Sequence, residues 1–213
     1  MSRDFASNWE EKKESSAGER LREALRPAGP LKPRLDTAVR SLQMQVQRLD
    51  QINGRLNERQ KVMFEKVVDA IKRHDQARAS IYANEVSEIR KMAKLILQSR
   101  LALESIILRL GTVSDLGDIV SQLVPATSVI STVSKSIGTV TPEVGAEMGQ
   151  IINLMSSIMV EASQTGNYTV NFETGNEDAQ KVLEEAASVA ERKLKEEFPD
   201  LPLSGSQGTQ QQG

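Results

Sequence analysis

The sequence predicts an all-α protein, built as a long antiparallel helical hairpin followed by shorter helices. Three observations carry that reading. Apolar residues recur in alternating steps of four and three along two long stretches, the pattern of a packed helical seam. Only a few residues separate the stretches, so the two helices must run antiparallel. Aromatic side chains are scarce, with four Phe, two Tyr and one Trp in 213 residues, which suits a thin helical body better than a thick core.

Residues 1–30 are polar, interrupted by Pro27, Gly29 and Pro30, and read as a flexible arm with a short helix around Glu19–Leu25. The core is expected over 31–166, with the hairpin at 31–111 and short helices over 112–166. The first seam is Leu35, Val39, Leu42, Val46, Leu49, Asn53, Leu56, Gln60, Met63, Val67 and Ala70, with polar breaks at Asn53 and Gln60. Lys72–Asp75 ends it, and the Asp75 carboxylate is placed to cap the free N–H groups of the next helix. The second seam is Tyr82, Val86, Ile89, Ala93, Ile96, Arg100, Leu103, Ile107 and Leu110. Each stripe implies a helix of about 38 residues, about 57 Å long. Each buried Val, Leu or Ile adds about 1.5–3 kcal/mol, so the hairpin should hold together unaided.

Beyond Gly111 a helix is expected from Ser114 to Val124, ended or kinked by Pro125, then a turn or two through Val129, Ile130, Val133 and Ile137. Pro142 suits the start of another helix, with a Met-rich stripe of Ile151, Ile152, Met155, Ile158 and Met159 up to Gly166. Asn167–Glu173 reads as an extended loop. Thr174 and Glu177 have capping-box spacing and open a last amphipathic helix, so 167–200 forms a loop and an acidic C-terminal helix. Residues 198–213 leave it through two prolines into a Gly, Ser and Gln tail.

Charge divides the chain. Residues 1–135 carry 23 Lys/Arg against 17 Asp/Glu, whereas 136–213 carry 4 against 12. The net charge of −2 conceals two halves of opposite sign that can attract each other or meet different partners.

Chemistry is hard to find. There is no cysteine, and the single His74 lies beside Asp75 without further ligands, so a turn-capping pair is favoured over a metal site. No phosphate-binding loop, nucleophile elbow or dinucleotide turn occurs. Gly145-x-x-x-Gly149 lies outside any apolar span and reads as incidental. No enzymatic activity, cofactor, metal or small-molecule substrate is assigned. No apolar run reaches the roughly 18 residues of a membrane span, and the first residues lack a signal-peptide core.

Three features could carry binding. Arg34, Arg40, Arg48, Arg55 and Arg59 stand among the basic residues of the first long helix, a surface for anionic lipid unless it is an ordinary solvated face. Nucleic acid is disfavoured, because no aromatic residues interleave with these charges to stack on bases. Met1, Phe5 and Trp9 recur every four residues in the arm and suit a membrane interface, or are accidental spacing. At the other end Pro199 and Pro202 hold an extended segment in which Phe198, Leu201 and Leu203 are available to a partner's groove; the bland alternative is a helix stop.

The segments LRPAGPLKPRLDTAVRSLQMQVQRL, KRHDQARASIYANEVSEIRKMAKLILQSRLALE and NEDAQKVLEEAASVAERKLKEEFP resemble the archaeal CdvB-type cell-division proteins, homologues of ESCRT-III, over roughly residues 25–202. The middle segment is the most specific. The resemblance implies subunits that switch from a closed monomer to an open form, polymerise with themselves and with paralogues on anionic membrane, and constrict it. It implies an AAA+ ATPase, CdvC-like, whose MIT domain grips a C-terminal motif of the pattern Leu-Pro-acidic-Val-Pro. Phe198, Pro199, Asp200, Leu201 and Pro202 match it in both prolines and the acid, with Phe and Leu replacing Leu and Val, and Leu203 extends the apolar run. The chain stops before the winged-helix-like tail of some members and so resembles the shorter paralogues. The implied location is cytoplasmic, on the inner face of the cell membrane at the division site. The charge division further implies closure of the acidic helix, through Glu177, Glu184, Glu185 and Glu191, onto the basic hairpin. The competing readings are a coiled-coil or BAR-like membrane adaptor that does not polymerise and, behind it, a nucleic-acid-binding helical protein.

Overall fold

A computed structural model describes residues 31–113, 116–166 and 172–198 of the chain. These form five helices: α1 (Leu31–Lys72), α2 (Gln76–Gly111), α3 (Leu116–Gly138), α4 (Pro142–Gly166) and α5 (Phe172–Glu197). The fold is all-α and ESCRT-III-like, a long hairpin followed by shorter helices.

The hairpin turn follows from its residues. His74 adopts φ 57°, the left-handed conformation that ends a helix, and the Asp75 N–H donates back to the Ala70 carbonyl at 2.9 Å. The Asp75 carboxylate then accepts from the Arg78 N–H at 3.0 Å and starts α2. Two helices of 42 and 36 residues leave this turn.

Burial is broader than two facing seams. On α1 the buried set is Leu35, Ala38, Leu42, Gln45, Leu49, Gln60, Val67 and Ala70, which adds Ala38 and Gln45 to the expected stripe. The reason is that α1 packs against α4 as well as α2. Helix α2 is covered by α1, α3 and α5, and it buries Leu97, Ala102 and Ile106 beside its seam. The main core therefore collects residues of all five helices, while Val67, Ala83 and Val86 form a separate small cluster near the turn. There the protein relies on the hairpin itself.

Three local expectations are corrected. Helix α3 does not end at Pro125 but runs from Leu116 to Gly138 with the proline inside it. A proline removes one backbone donor, but Leu123, Val124, Ala126, Val129 and Ile130 are all buried, and their packing holds the helix across the defect. Helix α5 starts at Phe172, so Thr174 lies in its first turn and does not cap it. The early start carries Gly175 onto α3, where a Cβ would stand 2.3 Å from Val124 Cγ1 and 3.5 Å from Pro125 Cδ. Gly145 is not incidental either: a Cβ there would meet Gly138 Cα at 3.0 Å, and the Ser134 hydroxyl donates to the Gly145 carbonyl at 3.0 Å. Gly149 has open space and takes no part.

Candidate functional site

Helix α1 presents arginines along much of its length, and the fold divides them into two classes. Arg34 pairs with Glu161 of α4 through Nη1, while its Nη2 donates to the Ser157 hydroxyl at 2.6 Å. Arg48 Nη1 lies 2.6 Å from Glu147 Oε1, and Gln45 Nε2 donates to the other oxygen of the same carboxylate at 2.7 Å. The hydrogen bond from Arg48, then that from Gln45, holds the Glu147 carboxyl below the usual glutamate range. Its bond to Glu147 raises the Arg48 guanidinium correspondingly. Two of the five arginines assigned to membrane are thus engaged by α4.

Arg59 pairs across the hairpin with Glu85 at 2.5 Å. Arg40 and Arg55 are exposed and have no ion-pair partner among the described residues. Arg55 borders, with Arg48 and the Val140–Val144 segment, a cavity of about 550 Å³. Of the five arginines, Arg40 and Arg55 are therefore the ones whose charge is open.

The acidic C-terminal helix lies elsewhere. Helix α5 packs on α2 and α3 through Ala179, Val182, Ala186 and Ala190. Glu191 accepts from Lys195 at 3.0 Å and meets Lys94 of α2 at 3.4 Å, which together hold its carboxyl below the ordinary value. Glu184 accepts from Gln180 within α5, and Glu177 and Glu185 are exposed. Among the four acids assigned to closure, Glu191 alone forms an ion pair with the hairpin among the described residues. The acids that pair with Arg34 and Arg48 come from α4, and the one that pairs with Arg59 comes from α2.

Glu147 and Glu161 were missed from sequence, although a signal for them exists. Arg34 and Arg48 are separated by fourteen positions, and so are Glu147 and Glu161, in reverse order. Matched spacing of opposite charge is what two antiparallel helices require.

At its end α5 reaches α1. The Phe198 N–H continues the helix to Leu194 O at 3.0 Å, Asn57 Nδ2 lies 3.5 Å from Glu197 Oε2, and the Arg90 guanidinium stands 5.5 Å from the Phe198 ring centre. Phe198 is half-buried. Phe5 and Trp9, and Pro199, Asp200, Leu201, Pro202 and Leu203, lie outside the described residues. Among the described residues no group of His, Cys, Asp or Glu could hold a metal ion, and no helix is long and apolar enough to cross a membrane.

No protein-family model and no solved structure matches the chain. It is 40% identical over 212 residues to Cell division protein B1 of Sulfolobus acidocaldarius, covering 100% of this chain and 95% of that protein. It is 37% identical over 161 residues to Cell division protein B of the same organism, covering 76% of this chain and 62% of that protein. With a helical hairpin of the expected form and a relative matched from end to end, the chain belongs to the CdvB-type family of archaeal cell-division proteins.

Proposed function

We propose that this protein acts in archaeal cell division as a filament subunit that remodels membrane, and that the structure is its closed, unassembled form. The observation that carries the reading is the double clasp of Arg34 to Glu161 and Arg48 to Glu147. Departure of α4 would return two arginines to the face that already exposes Arg40 and Arg55. It would also uncover apolar surface on α1, α3 and α4 for a neighbouring subunit. The role is structural rather than enzymatic.

On this reading the basic face contacts anionic lipid on the inner side of the cell membrane, with the arm around Phe5 and Trp9 adding apolar insertion. Neighbouring copies or paralogues extend the filament. Phe198–Leu203 is the handle by which the MIT domain of an AAA+ ATPase removes subunits. A peptide so short buries little area, so an affinity near micromolar, about −8 kcal/mol, is its ceiling. Leu201→Asp would place a charge in an apolar pocket and abolish measurable binding by calorimetry.

Liposome co-sedimentation with negative-stain microscopy tests the central claim. Each basic residue near an anionic surface is worth about 1 kcal/mol, so Arg40→Glu with Arg55→Glu should weaken binding at least roughly tenfold at low salt. Glu147→Lys with Glu161→Lys should have the opposite effect, by repelling Arg48 and Arg34. Binding without filaments would favour a BAR-like adaptor; equal binding to neutral and anionic vesicles would remove the electrostatic role.

A further inference from the structure

The middle of α1 is built differently from its ends. Between Leu49 and Val67 the only buried residue of the helix is Gln60, whereas the opposing stretch of α2 buries Val86, Ile89, Ala93 and Ile96, one in every turn. The packing divides at the same place. Leu49, Ile52 and Leu56 belong to the main core, and Met63 and Val67 belong to the small cluster near the turn. Between them Asn57 Oδ1 is buried without a hydrogen bond, and a groove of about 410 Å³ flanks Asn57, Gln60 and Phe64. An underfilled seam with an unpaired buried oxygen holds its helix less firmly than a packed one.

The backbone is weakest there too. Asn53 and Gly54 sit together in mid-helix, and both are poor helix formers. Asparagine offers its side chain to nearby backbone groups in competition with the helix, and glycine gains the most freedom when a helix opens. Packing gives no reason for the glycine. A Cβ at position 54 would meet nothing within 4 Å, unlike one at Gly145 or Gly175. Two ion pairs across the hairpin bracket the stretch, Arg100 with Asp50 and Arg59 with Glu85, each at 2.5 Å. Each side of the weak stretch thus keeps its own register with α2.

We propose that α1 is jointed at Asn53–Gly54. The helix opens there by about a turn, and the tip of the hairpin pivots on the main core as a unit held by Val67, Ala83 and Val86. Helix α2 crosses the joint without a break and follows by the smooth curvature available to any long helix. In the filament proposed above, such a joint would let the tip meet neighbours at different curvatures. That consequence rests on the filament reading, whereas the joint does not.

The chain contains no cysteine, so labels can be placed singly in the full-length protein. Met44 and Val62 are exposed and lie on one face of α1 five turns apart, a separation of about 27 Å in a straight helix. Spin labels at Met44→Cys and Val62→Cys on the unassembled full chain should give a broad distance distribution, which Gly54→Ala narrows toward the straight-helix value. Hydrogen-exchange protection at Arg55–Glu58 should be at least roughly tenfold lower than at Leu42–Leu49. Gly54→Ala should raise it about fivefold, the equivalent of the roughly 1 kcal/mol that separates alanine from glycine in a helix. A narrow distribution in the parent chain, or uniform protection along α1, would overturn the proposal. So would a breadth that the alanine leaves unchanged, because the motion would then lie elsewhere. All measurements use the unassembled protein, so failure to form filaments would leave these outcomes unaffected.

Discussion

At the scale of single residues, the contacts that matter most are the charges on α4 that meet α1. Exposed ion pairs are individually weak and screened by salt, so the clasp acts through paired positions and a shared carboxylate. Glu147 receives bonds from both Arg48 and Gln45, which fixes the sign of its pH dependence. Its folded value lies below the free glutamate value of about 4.3. Its contribution is therefore complete above the free value and is lost as pH falls through the lowered one. A carbon-detected NMR titration should find the Glu147 midpoint below that of free glutamate, and Arg48→Gln should move it upward. Arg100 is a different case. It occupies the second seam at 18% side-chain exposure, 2.5 Å from Asp50 and 3.8 Å from Glu104, with a buried Nε that has no hydrogen bond. Replacing such an ion with an apolar residue is often neutral or stabilising, whereas removing its partner is not. Arg100→Leu should hold or raise the melting temperature, and Asp50→Ala should lower it.

At the scale of elements, the hairpin was legible because each helix repeats one rule for many turns and a capped turn joins the two. Asp75 and the step pattern sufficed. The later helices were less legible because their boundaries depend on what they touch. Pro125 signals a break locally, yet neighbours buried on α3 outweigh the lost donor. Thr174 signals a cap, yet docking carries the helix start back to Phe172. The acidic C-terminal helix lies on the hairpin at α2, where Glu191 meets Lys94, whereas the acids that meet Arg34 and Arg48 stand on α4; net charge carries no information about which face an element presents. Gly175 provides the sharpest test of docking at this scale. Alanine is favoured over glycine in a helix by about 1 kcal/mol, but overpacking costs about 1–3 kcal/mol. Val124 is β-branched and turns aside poorly, so the clash should prevail. Gly175→Ala should increase hydrogen exchange across α5 by an order of magnitude or so while leaving that of the hairpin near the turn unchanged.

At the scale of the whole molecule, α4 and α5 reach the hairpin through two separate attachments. Helix α4 meets α1 through the Arg34 and Arg48 ion pairs and buries Met148, Met155 and Ile158 in the common core, and α5 packs on α2 and α3 mainly by small residues. Ala179, Ala186 and Ala190 bury little area each, so α5 should be the first helix to leave. Cutting the chain before Thr174 should increase liposome binding and polymerisation with little loss of hairpin stability. If truncation leaves both unchanged, α5 does not restrain assembly. High salt should loosen the α4 contact more than the α5 contact, which hydrogen exchange resolved by helix can separate.

The position of Gly175 has a mechanical consequence. Proline at 125 leaves α3 one rung short, and that is where α5 lies across it. A helix with a missing rung bends there more readily than elsewhere. While α5 is seated it acts as a splint over the weak point, and α3 behaves as a single stiff rod. Once the splint is lifted, the same rod becomes two rods joined at a known position. Detachment of the last helix would then set where the middle of the molecule flexes, and a pair of spin labels flanking Pro125 should report a broader distance distribution after truncation at 174. Pro125→Ala should restore the narrow one.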